Sequence, residues 1–97
     1  MSIKKPNKPI VVGDKRYYKY LIIWEDIVGD VAWADIPDIK KSKTAICCSV
    51  GWLVNENPNT TVVMADFSFE DNGDIKQGGN YTTIPTKNVL TIKKIKI

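Results

Sequence analysis

Apolar side chains in this chain recur mostly at every second position, the spacing of a β-strand with one covered face. From Tyr17 to Asp26, Tyr18, Tyr20, Ile22 and Trp24 share one parity, while Lys19 and Glu25 share the other with Tyr17, Leu21 and Ile23. Aromatic and β-branched residues in that order predict a strand whose second face is also partly covered. Thr44 to Asn55 is the longest apolar stretch. It places Ile46, Cys48, Val50, Trp52 and Val54 on one face, and the smaller Ala45, Cys47, Ser49 and Gly51, with Leu53, on the other. Gly51 in mid-strand predicts a sharp bend, the device by which a small sheet curls. Asn57-Pro58-Asn59 predicts a tight turn, and Thr60 to Glu70 returns as a second long strand with Val63, Ala65, Phe67 and Phe69 on one face.

Asp71-Asn72-Gly73-Asp74 is a further hairpin turn by its Asn-Gly step. Gln77-Gly78-Gly79-Asn80 interrupts the strand that follows, predicting a bulged or bent pair of arms, and Pro85-Thr86-Lys87-Asn88 predicts a short turn. In the last run, Val89 to Ile97, Leu90 and Ile92 differ in parity from Ile95 and Ile97. A bulge at Lys93-Lys94 would keep all four inward. Between residues 27 and 43 the pattern is weaker: Val31-Ala32-Trp33-Ala34 reads as a short strand, Asp35-Ile36-Pro37-Asp38 as a turn or single helical turn, and Lys40, Lys41 and Lys43 as a basic cluster on a loop. The prediction is an all-β fold of five or six short strands in a small, strongly bent barrel. An N-terminal arm occupies residues 1–15, in which Ile10, Val11 and Val12 have the composition of a short strand, and the barrel domain occupies residues 16–97.

With 97 residues the chain forms one domain with a small core, and such domains gain support from a disulfide, a metal or self-association. Cys47 and Cys48 are adjacent in a predicted strand and point to opposite faces, so an internal disulfide would be heavily strained; buried free thiols are expected, with a disulfide between chains as the alternative. Without histidine, and with only these two thiols, no zinc pattern exists. Self-association is the remaining support. No apolar run has the ~18 residues of a membrane helix or the form of a signal peptide, which predicts a soluble cytoplasmic protein with no membrane partner.

The net charge of +3 is unevenly spread. Residues 1–19 carry six bases and one acid, residues 20–90 five bases and ten acids, and residues 91–97 three bases and no acid. A basic arm and a basic final strand thus flank an acidic body, a distribution that attracts a polyanion locally or serves as a solubilising tail and charged edge. The absence of histidine excludes nucleophilic triads that use it, and Ser49 lies inside a strand, so no enzymatic activity and no cofactor are expected. Asp66, Glu70, Asp71 and Asp74 cluster around a turn without calcium-loop spacing and read as a solvated hairpin tip, leaving no metal site. Lys15 and Arg16 lie beside Tyr17, Tyr18 and Lys19, a mixture of cations and rings suited to phosphates and stacked bases.

The succession Tyr20-Leu-Ile-Ile-Trp-Glu-Asp, Trp33-Ala-Asp-Ile, Cys48-Ser-Val-Gly-Trp-Leu-Val and Ile84-Pro, followed by an isoleucine-rich last strand, resembles a set of small marine-phage (cyanophage-type) proteins similar in fold to Sm-like ring proteins. The resemblance runs from about Tyr17 to Ile97. It implies a five-stranded bent barrel that joins edge to edge into a homo-oligomeric ring of about five to seven subunits and binds single-stranded RNA or DNA near the pore. Gly51 would be the bend of the second strand, Asn57-Pro58-Asn59 the loop to the third, and Thr86-Lys87-Asn88 the loop before the fifth. The nucleic-acid-binding residues so implied are Asn55, Asn57, Asn59, Thr86, Lys87 and Asn88, with Lys15 and Arg16 from the arm. The Asp-x-x-x-Asn spacing of cellular Sm-like proteins is absent, and Ile84-Pro85-Thr86-Lys87 stands where Ile-Arg-Gly would, so the resemblance carries the fold and not uridine selectivity. The expected function is an accessory role in RNA or DNA processing in the host cytoplasm; a protein-interaction or virion structural module on the same barrel is the alternative.

Overall fold

The computed structural model describes residues 10–12 and 15–96. Ile10–Val12 (β1) and Lys15–Tyr17 (β2) pair as a two-stranded antiparallel sheet. Five longer strands form a second antiparallel sheet: Lys19–Asp26 (β3), Ala45–Glu56 (β4), Thr60–Phe69 (β5), Ile75–Pro85 (β6) and Val89–Lys94 (β7). Their order is β6-β5-β4-β3-β7. A five-residue helix, Ile36–Lys40 (α1), lies between β3 and β4, and a single 3-10 turn, Thr86–Asn88, joins β6 to β7.

That last connection dictates the curvature of the sheet. β6 and β7 are its two outer strands, which in a flat sheet would lie four strand spacings apart, about 19 Å. A 3-10 turn advances only about 2 Å per residue, so the link from Pro85 to Val89 covers roughly 8 Å. The sheet must therefore roll until its outer strands approach each other at this corner. No ladder joins β6 to β7, so the sheet stays open.

The bend is concentrated in β4. Its residues Ala45 to Trp52 pair with β3, whereas only Trp52 to Glu56 pair with β5. Gly51 sits at the switch, where a Cβ would stand 2.6 Å from the Met64 carbonyl oxygen, closer than any side chain tolerates. Glycine is thus required for the close backbone approach, as the sequence predicts. β5 and β6 continue past this point as a hairpin tied to β4 by the Phe67 ring, 5.4 Å from that of Trp52 between centroids, with Asn80 in the left-handed region at φ 51° and its amide bonded to Asp66. The interrupted segment Gln77-Gly78-Gly79-Asn80 is one continuous, bent strand.

The core inside the roll is small. Ile22 of β3, Val63 of β5 and Ile84 of β6 are buried, with Tyr20, Trp24, Leu53, Val89 and Ile92 packed around them. β4 turns its small face inward, opposite to what side-chain size alone suggests: Ile46 and Val50 are exposed, while Gly51 is buried and Ser49 accepts a hydrogen bond from the Trp24 indole at 3.0 Å. Small residues leave room for the Trp24 ring on the concave side. The thiols follow these faces. Cys47 is half-buried and Cys48 exposed, both free, so the expectation of two buried thiols fails at Cys48.

Two further expectations are corrected. Val31 to Ala34 is not a strand; it belongs to an exposed loop held by Asp30, whose carboxylate accepts from the Ala32 N–H at 2.9 Å. With no strand alongside it, the segment has no ladder to join. The bulge in β7 lies at Leu90, where the β3 register shifts from Ile23↔Thr91 to Trp24↔Val89, and not at Lys93-Lys94. Leu90 consequently points outward, 55% exposed; Ile97 lies outside the described residues.

Candidate nucleic-acid interface

The residues nominated around the two loops come from distant parts of the chain, and a compact hydrogen-bond network unites them. In the β4–β5 turn, the Asn57 side-chain carbonyl accepts from the N–H groups of Asn59 and Thr60, each at 2.8 Å, and the Asn57 N–H bonds the Thr60 carbonyl at 2.9 Å. This is the local side-chain-to-backbone closure that makes asparagine a turn residue. The 3-10 turn docks directly on it: the Thr86 N–H donates to the Asn59 carbonyl at 3.1 Å, and the Thr86 hydroxyl donates to the Asn57 carbonyl at 2.7 Å. Thr61, fully buried, completes the network with its hydroxyl 2.9 Å from that of Thr86. Since the Thr86 proton is committed to Asn57, Thr61 supplies the donor.

This network sorts the nominated residues. Asn57 and Thr86 spend their polar groups on holding the two loops together, so they position the surface and do not present themselves to a ligand. Lys87 and Asn59 are exposed on the fused loops, Asn88 is half-buried beside them, and Asn55 is exposed on the last turn of β4 before the corner. Together they display one ammonium and three carboxamides, groups that pair with phosphates and with unstacked base edges.

Lys15 and Arg16 lie on β2, opposite Val12 and Val11. β2 leads through Tyr18, whose carbonyl accepts from the Leu53 N–H at 2.9 Å, so the hairpin runs beside the part of β4 that leads to Asn55. Among the described residues no hydrogen bond connects it to the fused loops. Lys94, placed by the sequence in a basic last strand, holds its ammonium 3.6 Å from the centre of the Tyr18 ring. Only the pairing of β7 with β3, which brings Lys94 opposite Tyr20, creates this contact. It occupies one face of a ring expected to stack a base.

The acidic hairpin tip is self-contained. Asn72 accepts from the Asp74 N–H at 3.0 Å and donates to the Asp74 carboxylate at 3.1 Å, and Gly73 takes φ 91° to close the turn. Open depressions of about 450 and 230 Å³ flank this hairpin, lined by Phe69 to Asn72 with Lys76 and by Asp66 to Ser68 with Gln77 to Gly79. Among the described residues no group of three or more acidic or thiol side chains converges as a metal site, and no helix is long and apolar enough to cross a membrane. No family model, curated protein or solved structure matches this chain.

Proposed function

We propose that this chain is a non-enzymatic, Sm-like accessory protein of phage origin that self-associates by strand pairing and binds single-stranded nucleic acid on its fused loops. The observation that carries this reading is the docking of Thr86 on Asn57 and Asn59. It brings Lys87 and Asn88 together with Asn59 on one rim, with Asn55 nearby at the end of β4. Repetition of that rim around an oligomer multiplies one lysine into a cluster of positive charge, which draws phosphates by counterion release. Without an arginine to hold a base bidentately, selectivity among sequences is low.

Support for self-association comes from the small core and from open strand edges. Among the described residues β6 and β7 each have one unpaired side, and β5 is unpaired on the β4 side beyond Met64. Among the described residues eleven large apolar side chains are exposed, including Leu90 on β7 and Tyr81 on β6. Unpaired backbone edges with apolar neighbours are templates for another strand. The strand order and the corner turn also fit an Sm-like roll that oligomerisation completes.

Purification from an expressing cell tests the reading. The protein is expected to elute as an oligomer by light scattering and to carry nucleic acid, seen as a raised ratio of absorbance at 260 to 280 nm that falls after a high-salt wash. A nucleic-acid-free monomer would contradict it. A second reading, a protein-interaction or virion structural module, is favoured by a separate observation: Val31 and Trp33 are both 102% exposed, with Ile27 at 82%, on the loop between β3 and β4. An apolar patch of that kind marks a protein contact.

A further inference from the structure

The main sheet is open in its interior as well as at its outer edges. β4 pairs with β5 from Glu56↔Thr61 to Trp52↔Met64 and no further, although both strands continue. Ala45 to Gly51 of β4 pair with β3 on one side, and among the described residues nothing pairs with them on the other. Ala65 to Phe69 of β5 are likewise open on that side, although most of this segment still pairs with β6 on the other. Two stretches of backbone that would extend one ladder are held apart by the tight crossing at Gly51 and the left-handed bend at Asn80. Unpaired main-chain groups of this length call for a partner strand.

We propose that two copies of the chain exchange these segments reciprocally, the outer half of each β5–β6 hairpin pairing with Ala45–Val50 of the other copy. The inference rests on the self-association part of the reading above and does not depend on nucleic-acid binding. Continuing the register of Trp52↔Met64 outward places Val50 opposite Asp66 and Cys48 opposite Ser68. The same continuation sets Glu70 and Asp71 opposite Ile46 and Ala45 at the start of β4 and carries Asn72 to Asp74 over Ser42 to Thr44, beside Lys40, Lys41 and Lys43. Acid thus meets base in both contacts of the pair. In this register Phe69, 59% exposed, falls opposite Cys47, and Ile46, 62% exposed, opposite Glu70. Because each copy both gives and receives, the contact is two-fold and closes at a dimer. The outer sides of β7 remain available for larger assembly.

The native Cys48 supplies the test. In a Cys47→Ser background, Ser68→Cys puts a second thiol at the cross-strand position, where Cα separations of about 4.5–5.5 Å suit a disulfide. Oxidation is expected to give a covalent dimer on non-reducing gels. A disulfide within one chain would show that the hairpin closes on its own β4 and would overturn the proposal, as would no disulfide at all. Charge reversal gives a second readout. Lys41→Glu with Lys43→Glu, and Asp71→Lys with Asp74→Lys, should each weaken the dimer about tenfold or more in sedimentation, and an equimolar mixture of the two variants should recover it. An oligomeric wild type whose Cys47→Ser, Ser68→Cys variant forms no disulfide between copies and whose charge-reversal variants assemble normally defeats this contact while leaving self-association standing; a monomeric wild type defeats both.

Discussion

Gly51 and Thr86 are the two residues on which the shape of the molecule turns, for different physical reasons. At Gly51 the constraint is volume. A Cβ would meet the Met64 carbonyl oxygen at 2.6 Å and its carbon at 3.2 Å, both backbone atoms that cannot rotate away. Gly51→Val is therefore expected to destabilise the fold by about 3 kcal/mol, as overpacking of a rigid site does. An unchanged melting temperature would show that β4 does not cross β5 there. At Thr86 the constraint is polar. Thr86→Val strips partners from the Asn57 carbonyl and from the buried Thr61 hydroxyl and should cost about 2 kcal/mol, whereas Thr61→Val removes one bond and should cost about 1 kcal/mol. Chemical denaturation of the two variants and their double mutant measures both the order and the coupling. Glycine is legible as a bend in sequence because no other role suits it in mid-strand. The Thr61–Thr86 pair is not, since threonine in strands is ordinary and the two are joined only by folding.

Strand elements were legible wherever parity and turn residues agreed. Tyr20, Ile22 and Trp24 face the core as their spacing predicts, and the turns at Asn57 and Gly73 fall where their residues place them. Parity alone, however, says which residues share a face and not which face is inside. In β4 the concave side takes the small residues because the Trp24 ring fills it, and size misleads about which side is buried. The β3–β4 loop exposes a different limit. Val31 and Trp33 alternate like a strand but have no neighbour to pair with, so the apolar pattern there serves contact and not the core. Trp33→Ala should accordingly leave thermal stability within about 0.5 kcal/mol of wild type. A larger loss would mean that the ring is covered in the folded protein. If the wild type self-associates, preserved stability with lost assembly on sedimentation would assign the loop to an interface.

For the whole molecule, order and curvature follow from one short link. The radius of gyration, 17.7 Å, exceeds the ~13 Å of a compact chain of about this length, which reflects the projecting hairpins and the thin core. With Ile22, Val63, Met64 and Ile84 as the buried apolar side chains among the described residues, the core supplies little stability on its own. Most of the bases are grouped in the arm, the last strand, the segment of Lys40, Lys41 and Lys43 before β4 and the loop bearing Lys87. The measurement that tests this account most directly is fluorescence anisotropy of a labelled, mixed-sequence single-stranded RNA, titrated with the protein at salt concentrations from about 50 to 200 mM. Binding at the lowest salt, with affinity falling steeply as salt rises and a shallower fall for Lys87→Ala, is the predicted result. No detectable binding at about 50 mM salt, where phosphate contacts are strongest in this range, would contradict it.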